Sequence, residues 1–364
     1  MKILLVNDQF ESGGAARVAC TMCNEFKSKG YDIVVVTDTV NNTIRYDLNK
    51  EIPLLNADFK SKSSSTSSRI ASLFRVAKRI RKHLKNVKPD VVIAIQANAF
   101  IRTWLANINL HIPLIVADHT SFSRKMDAIN TFTRHYLYKY ADGISILTYR
   151  DEILLGEKYP QKMVIHNPLT WKALGVTAER RKTILAAGRF DIWQIKGFDI
   201  LLKIWGQVAP LFPEWTLEIA GTGSKESMST VEGFIRENKV DDRTVLLGQV
   251  NDMKSLYSQS GIFALSSRVE GMPMVLLEAM SQGCPCVAFD VGGASSEMIG
   301  DRDGVVVQDG DVEGFKNALV TLMKDESKRN CYSENAIIAV SRFSVDTFME
   351  KWLVLIDRAV NKQI

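Results

Sequence analysis

Short apolar runs rich in β-branched residues return along this chain at helix-length intervals. They are KILLVN, DIVVVT, DVVIAI, PLIVAD, GISILT and KMVIHN in the first half, then TILAAG, TLEIAG, TVLLG, GIFALS, CPCVAF and GVVVQD. A run that is apolar at consecutive positions has no face to offer water, so it belongs in a sheet covered on both sides. The helix-length segments between runs supply the covers, which makes βαβ units with parallel strands the expected architecture. The two series are separated by a stretch without clear period, TWKALGVTAERRK, and two successive Rossmann-like α/β domains follow: residues 1–168, a linker at 169–182, and residues 183–344. Ligands of such sheets bind beyond the carboxyl ends of the strands, and with two sheets the natural site is the cleft across which they face each other.

Composition is consistent with this. At 364 residues, 46% hydrophobic and 24% charged, the chain is too long for one ordinary domain and too apolar to be disordered. No apolar run approaches the roughly 20 residues of a bilayer span, and MKILLVN is followed too soon by Asp8 and Glu11 to act as a secretion signal. A mature start at Met1 and a cytoplasmic location are therefore expected. Five cysteines argue against a disulfide framework, and small apolar packing is the expected use of Cys20, Cys23, Cys284 and Cys286.

The net charge of +5 is unevenly placed: residues 1–170 carry 24 Lys and Arg against 15 Asp and Glu, and the remainder carries 22 against 26. A basic first domain suggests an anionic surface as partner, lipid or nucleic acid. After a low-complexity stretch at 61–68 (SKSSSTSS), expected to be a flexible loop, comes RIASLFRVAKRIRKHLKNVK. There Ile70, Leu73, Ala77, Ile80, Leu84 and Val87 recur at helical spacing. Arg69, Arg75, Lys78, Arg79, Arg81, Lys82, Lys85 and Lys88 surround them without an acid. Such a basic amphipathic helix suits an anionic membrane surface. The alternative is an ordinary core-packing helix with a solvated face; nucleic acid is not expected, because no binding module accompanies the charge.

Several strand ends carry residues suited to a phosphorylated ligand. Gly13 and Gly14 lie where the first strand turns into a helix, so backbone N–H groups can meet an anion closely; a purely structural turn is the alternative, and there is no GxGxxG fingerprint. In TILAAGRFDIWQIKGFD, Arg189 and Lys196 flank a strand-end loop and could neutralise a diphosphate, or simply be two solvated charges. Gly221 and Gly223 follow the next strand. The most specific segment is SSRVEGMPMVLLEAMSQGCPCVAF, where Glu270 precedes a helix starting near Met274 and Glu278 lies one turn inside it. The two carboxylates can then reach different parts of one ligand, with Gly271 freeing the backbone N–H groups that follow.

The sequence resembles the family 4 retaining glycosyltransferases of the GT-B fold, of the bacterial polysaccharide or lipid-linked oligosaccharide type, nearly end to end. The resemblance rests on Glu270 and Glu278 within EGMPMVLLEAMSQGCP, on GRFDIWQIKGFD, on the early GGAAR and on HNP at 166–168. It implies that Arg189 and Lys196 bind the donor diphosphate, that Glu278 holds the ribose, and that Glu270 contacts the donor sugar with the amides of Gly271, Met272 and Met274. It further implies that Gly13 and Gly14 lie over the phosphates or the acceptor, and that His119, in ADHTSF, sits beside the sugar ring. Gly221 is expected to approach the nucleotide. A terminal helix, assigned to 345–364 with Phe348, Trp352, Leu355, Ile356 and Ala359 on one face, would pack back on the first domain.

The expected activity is transfer of a hexose or N-acetylhexosamine from a nucleotide sugar, UDP-linked, to a polyisoprenyl-diphosphate saccharide in capsule, O-antigen or related glycan synthesis. No cofactor and no metal are expected, since cationic side chains can stabilise the leaving diphosphate. Peripheral attachment to the inner face of the membrane is expected, with Arg75, Lys78, Arg79, Arg81, Lys82 and Lys85 meeting lipid or the acceptor diphosphate. A UDP-sugar epimerase of the same fold, or a transferase with a soluble acceptor, is the alternative.

Overall fold

The computed structural model describes residues 1–361 other than 11–12, 40–43, 45, 60–65 and 174–178. The chain divides into two compact units, Met1–Pro168 together with the stretch from Val345, and Leu169–Ser344. Most of the low-complexity stretch at 61–68 lies outside the described residues, as does the middle of the expected linker.

The first unit holds seven parallel strands: β1 (Lys2–Val6), β2 (Asp32–Thr37), β3 (Leu54–Asn56), β4 (Val91–Ile95), β5 (Leu114–Ala117), β6 (Gly143–Ile146) and β7 (Lys162–Val164). Their order is β3-β2-β1-β4-β5-β6-β7. The second unit has six: β8 (Arg181–Ala187), β9 (Thr216–Ala220), β10 (Thr244–Gly248), β11 (Ser260–Leu265), β12 (Cys286–Asp290) and β13 (Val305–Gln308), ordered β10-β9-β8-β11-β12-β13. Each apolar run of the sequence is a strand, because the centre of each sheet is buried on both faces: β1, β4, β5, β6 and β11 are dry along nearly their whole length. The strand that periodicity misses, β3, is a three-residue edge with its outer residues exposed. The direction of winding reverses between β1 and β4 and between β8 and β11, and ligand crevices open at such points.

Two expectations are corrected. The linker expected at 169–182 runs two residues too far, because β8 begins at Arg181. Arg180 donates to the carbonyls of Tyr257, Ser258, Ser260 and Gln282, and Trp171 packs on Tyr257 at 6.2 Å. The basic helix (Thr66–Val87) does not lay its apolar stripe on lipid. Leu73, Val76, Ala77, Ile80 and Leu84 are in the core of the first unit, with the helix packed on Gln96–Asn107; of the stripe's expected members, Ile70 alone is exposed. Only one partner can cover a stripe, and here the sheet's own cover has claimed it.

The terminal helix (Val345–Asn361) buries Phe348, Trp352, Leu355, Ile356 and Ala359 and packs against β5 and β6 of the first unit. Cys20, Cys23, Cys284 and Cys286 are all buried, and burial pushes the Cys20 and Cys284 thiols up to about 12, so they pack as small apolar groups.

Candidate functional site

The second unit concentrates its chemistry where β8 and β11 end side by side. After β8 the chain turns through Gly188 and Arg189 into two short helical turns, Phe190–Ile192 and Trp193–Lys196. Gly197 then takes φ 66 before the helix Phe198–Val208. A Cβ at 197 would lie 1.9 Å from the Ser266 carbonyl oxygen, so only glycine lets this loop pass against the end of β11. The contact is stitched by hydrogen bonds. Ser266 Oγ donates to the Lys196 carbonyl at 3.0 Å, and the Arg268 N–H donates to the Ile195 carbonyl at 2.7 Å. The Arg268 guanidinium also forks onto Asp199 at 2.8 and 2.6 Å. Although partial burial acts the other way, that fork holds the Asp199 carboxyl below its usual range.

These ties bring together two residues 74 positions apart: Lys196 Nζ donates to Glu270 Oε1 at 2.8 Å. Their side chains are 18% and 13% exposed, so the pair sits in a recess that still opens to solvent. The Lys196 stem runs across Gly188, where a Cβ would be 3.0 Å from its Cγ. Arg189 is exposed at the same strand end. Beyond Glu270, Gly271 is half-buried, Met272 and Met274 are buried, and the helix Met274–Ser281 begins. Glu278 is on that helix, 5% exposed, with Tyr257 Oη at 3.5 Å from its Oε2. Gly221 has a structural reason to be glycine: its Cβ would meet the Gly188 carbonyl oxygen at 1.8 Å, and its N–H donates to the Gly248 carbonyl.

In the first unit Gly13 caps the helix Gly14–Ser28 with φ 98, and its N–H meets the Tyr46 hydroxyl at 3.1 Å. His119 follows β5. As a residue it is half-buried, but both ring nitrogens are shielded from solvent. Burial lowers its pKa to about 4, against the opposing pull of Asp118 and Asn167, so the imidazole is neutral near pH 7. Its loop is clamped from beneath. The Asp118 carboxylate receives Arg134 Nε at 2.8 Å, Arg134 Nη2 at 2.7 Å and Tyr138 Oη at 2.7 Å. Arg134 also donates to the Thr120 and Ser121 carbonyls, and Asp151, its carboxyl pushed up by burial, accepts the Phe122 N–H at 2.8 Å.

Of the six basic residues assigned to a membrane or acceptor, three are engaged in the fold. Arg79 pairs with Asp58, Arg81 donates to the carbonyls of Ala106 and Ile108, and Arg75 reaches Ser72 Oγ at 3.5 Å. Lys78, Lys82 and Lys85 are exposed. Sequence reasoning missed Arg268 and Asp199, which aim the Glu270 loop, and Arg134, Tyr138 and Asp151, which fix the His119 loop. Asp199 closes GRFDIWQIKGFD and Arg268 lies two residues before Glu270, but neither local pattern shows that the two pair; Arg134, Tyr138 and Asp151 sit in no motif and act across the fold. Among the described residues no three His, Cys, Asp or Glu side chains gather as a metal-ion ligand set.

Residues 12–168 match the model for Glycosyltransferase Family 4, and residues 181–325 match that for Glycosyl transferases group 1. The chain belongs to the family 4 glycosyltransferases. It is 26% identical over 350 residues to an uncharacterized glycosyltransferase of Haemophilus influenzae, covering 94% of this chain and 95% of that one. It is 26% identical over 366 residues to the GalNAc-α-(1→4)-GalNAc-α-(1→3)-diNAcBac-PP-undecaprenol α-1,4-N-acetyl-D-galactosaminyltransferase of Campylobacter jejuni, covering 99% of each. Among solved structures, a point mutant of S. aureus TarM in complex with fondaparinux, α-GlcNAc-glycerol and UDP matches with TM-score 0.80 at 14% identity, covering 98% of this chain and 99% of that one. The glycosyltransferase thus has the GT-B fold expected of it, built from two Rossmann-like sheets. No helix among its described residues is long and apolar enough to cross a membrane.

Proposed function

We propose that this glycosyltransferase moves a hexose or N-acetylhexosamine, with retention of configuration and without a metal, from a UDP-sugar to a saccharide carried on a polyisoprenyl diphosphate. The observation that carries the reading is the Lys196–Glu270 pair, recessed where β8 and β11 end, with Arg189 at the same strand end. A diphosphate leaving group needs positive charge where its own charge grows, and Arg189 and Lys196 supply it at the mouth of the second sheet. Glu270, tied to Lys196, is the acceptor for donor sugar hydroxyls, and Glu278 for the ribose. The UDP complex of TarM and the undecaprenol-linked substrate of the Campylobacter relative support the choice of donor nucleotide and acceptor class.

In this reading the first unit binds the acceptor. The sugar–phosphate C–O bond breaks, the acceptor oxygen bonds the same face of the anomeric carbon, and the hydroxyl proton passes to the departing phosphate oxygen. The exposed Lys78, Lys82 and Lys85 contribute electrostatic attraction to an anionic membrane surface in surface-glycan synthesis. A panel of nucleotide sugars, scored by thermal shift and slow hydrolysis and followed by NMR of the product anomer, tests the proposal. Stabilisation by UDP-sugars and an α product from an α donor are expected. An inverted product, or epimerisation of a UDP-sugar without acceptor, would overturn it.

A further inference from the structure

The winding of the first sheet reverses between β1 and β4, and the residues that follow those two strands form a polar group that the donor site does not use. β1 ends at Val6 and is followed by Asn7, 3% exposed, and Asp8. β4 ends at Ile95 and is followed by the helix Gln96–Asn107. Asn98 Nδ2 donates to Asp8 Oδ2 at 2.8 Å, joining the two strand ends across 90 positions of sequence. Arg102, one turn further along the helix and 8% exposed, donates to the Asn98 carbonyl at 3.0 Å. Burial disfavours its charge and Asp8 favours it, while Arg69 and Arg75 of the basic helix disfavour it; Arg69 pairs with Asp127. The Arg102 Nε is buried and has no hydrogen-bond partner among the described residues.

Gln96 holds φ 67, a left-handed conformation that costs stability in a residue with a Cβ. Of the six described non-glycine residues with positive φ, it alone follows directly on a strand. Lys88, Asn109 and Lys239 lie just past helix ends, the ordinary place for such an angle. Strain of this kind concentrates where binding or catalysis requires it. We propose that this crevice is the subsite for the acceptor's terminal sugar, with Asp8 and Gln96 hydrogen-bonding its hydroxyls and Arg102 behind Asp8 as counter-charge. This rests on the reading that the first unit binds a saccharide acceptor. A carboxylate has about four acceptor positions, so Asp8 can hold Asn98 and still receive hydroxyl protons, while a carboxamide such as that of Gln96 both donates and accepts. Neighbouring sugar hydroxyls need that combination. A phosphate group would meet the like charge of Asp8, so it is the neutral part of the acceptor that belongs here.

The experiment is saturation-transfer difference NMR on the full chain with saturating UDP, using p-nitrophenyl α-glycosides of galactose, glucose, GalNAc and GlcNAc as probes. Two variants are compared with wild type. Asp8→Asn keeps the shape and can still accept from Asn98, and Gln96→Gly finds φ 67 unstrained. At least one glycoside should bind wild type, and Asp8→Asn should weaken it by about tenfold or more, the scale of losing a hydrogen bond to a charged group. Gln96→Gly should weaken it by about threefold to tenfold and at the same time keep or raise the thermal midpoint, which a merely structural glutamine would not do. Absence of glycoside binding to wild type, undiminished binding in either variant, a lowered midpoint in Gln96→Gly, or displacement of the glycoside by inorganic phosphate would overturn the proposal. Thermal stabilisation by UDP reports the donor site separately. Retained in wild type and both variants, it leaves the glycosyltransferase reading standing whichever way the glycosides fall; absent from wild type, it counts against that reading itself.

Discussion

At the scale of single residues, the donor site proposed above turns on the Lys196–Glu270 pair. Neither partner is locked in the core, so removing either should act on catalysis more than on folding. Lys196→Ala and Glu270→Ala should each reduce kcat/KM by about a hundredfold or more, the scale of losing one preorganised charge at a developing anion. The double variant should lose far less than the product of the two, because partners in contact are not additive. Steady-state kinetics of the four forms decides this; wild-type turnover in either single variant would remove the pair from the mechanism. His119 gives a pH signature. Its folded pKa of about 4 lies below the ordinary 6.5, so between those values the unfolded chain holds the extra proton. Its contribution to stability is therefore complete above pH 6.5 and is lost as the pH falls toward 4. Urea midpoints at pH 7 and pH 5 should fall more in wild type than in His119→Gln. Glu270, Lys196 and His119 were legible because each sits in a short motif at a strand end. Arg134, 16 residues from Asp118, was not: a buried ion pair between a loop and a later helical turn leaves no local pattern.

At the scale of elements, the twelve apolar runs were legible because burial on both faces forces continuous hydrophobicity, and β3 was not because a three-residue edge strand need not be apolar. The helix Thr66–Val87 shows the limit of periodicity. Its stripe and its cations are as evident in sequence as in structure, but periodicity cannot say whether protein or lipid covers the stripe. The packing does, and it makes an asymmetric prediction. Ile80 is wholly buried, so Ile80→Ala should cost about 2–5 kcal/mol. Lys82→Glu, on the exposed side, should stay within about 0.5 kcal/mol. Denaturant titration monitored by circular dichroism checks both. A free energy indifferent to Ile80→Ala would mean that the stripe is not core.

At the scale of the whole molecule, chain order and structural units disagree at one end, and that disagreement is itself testable. The helix Val345–Asn361 is last in sequence but belongs to the first unit, where Trp352 is 1% exposed and Leu355 lies over β6. The fit there is close: a Cβ on Gly143 would be 3.0 Å from Leu355 Cδ1. Lys351 Nζ adds a bond to the Val164 carbonyl at 3.2 Å. Periodicity shows the helix's apolar face, and the family resemblance alone points it to the first domain, where it packs; any exposed sheet face would satisfy the same periodicity. Because the helix covers the first sheet, Trp352→Ala should destabilise that unit by about 3–5 kcal/mol while leaving the second unit's core unchanged. Hydrogen exchange resolved by peptide separates the two. Protection should fall in β4, β5 and β6 and persist in β8 and β11. Loss of protection confined to Leu169–Ser344 would place the helix with the wrong unit.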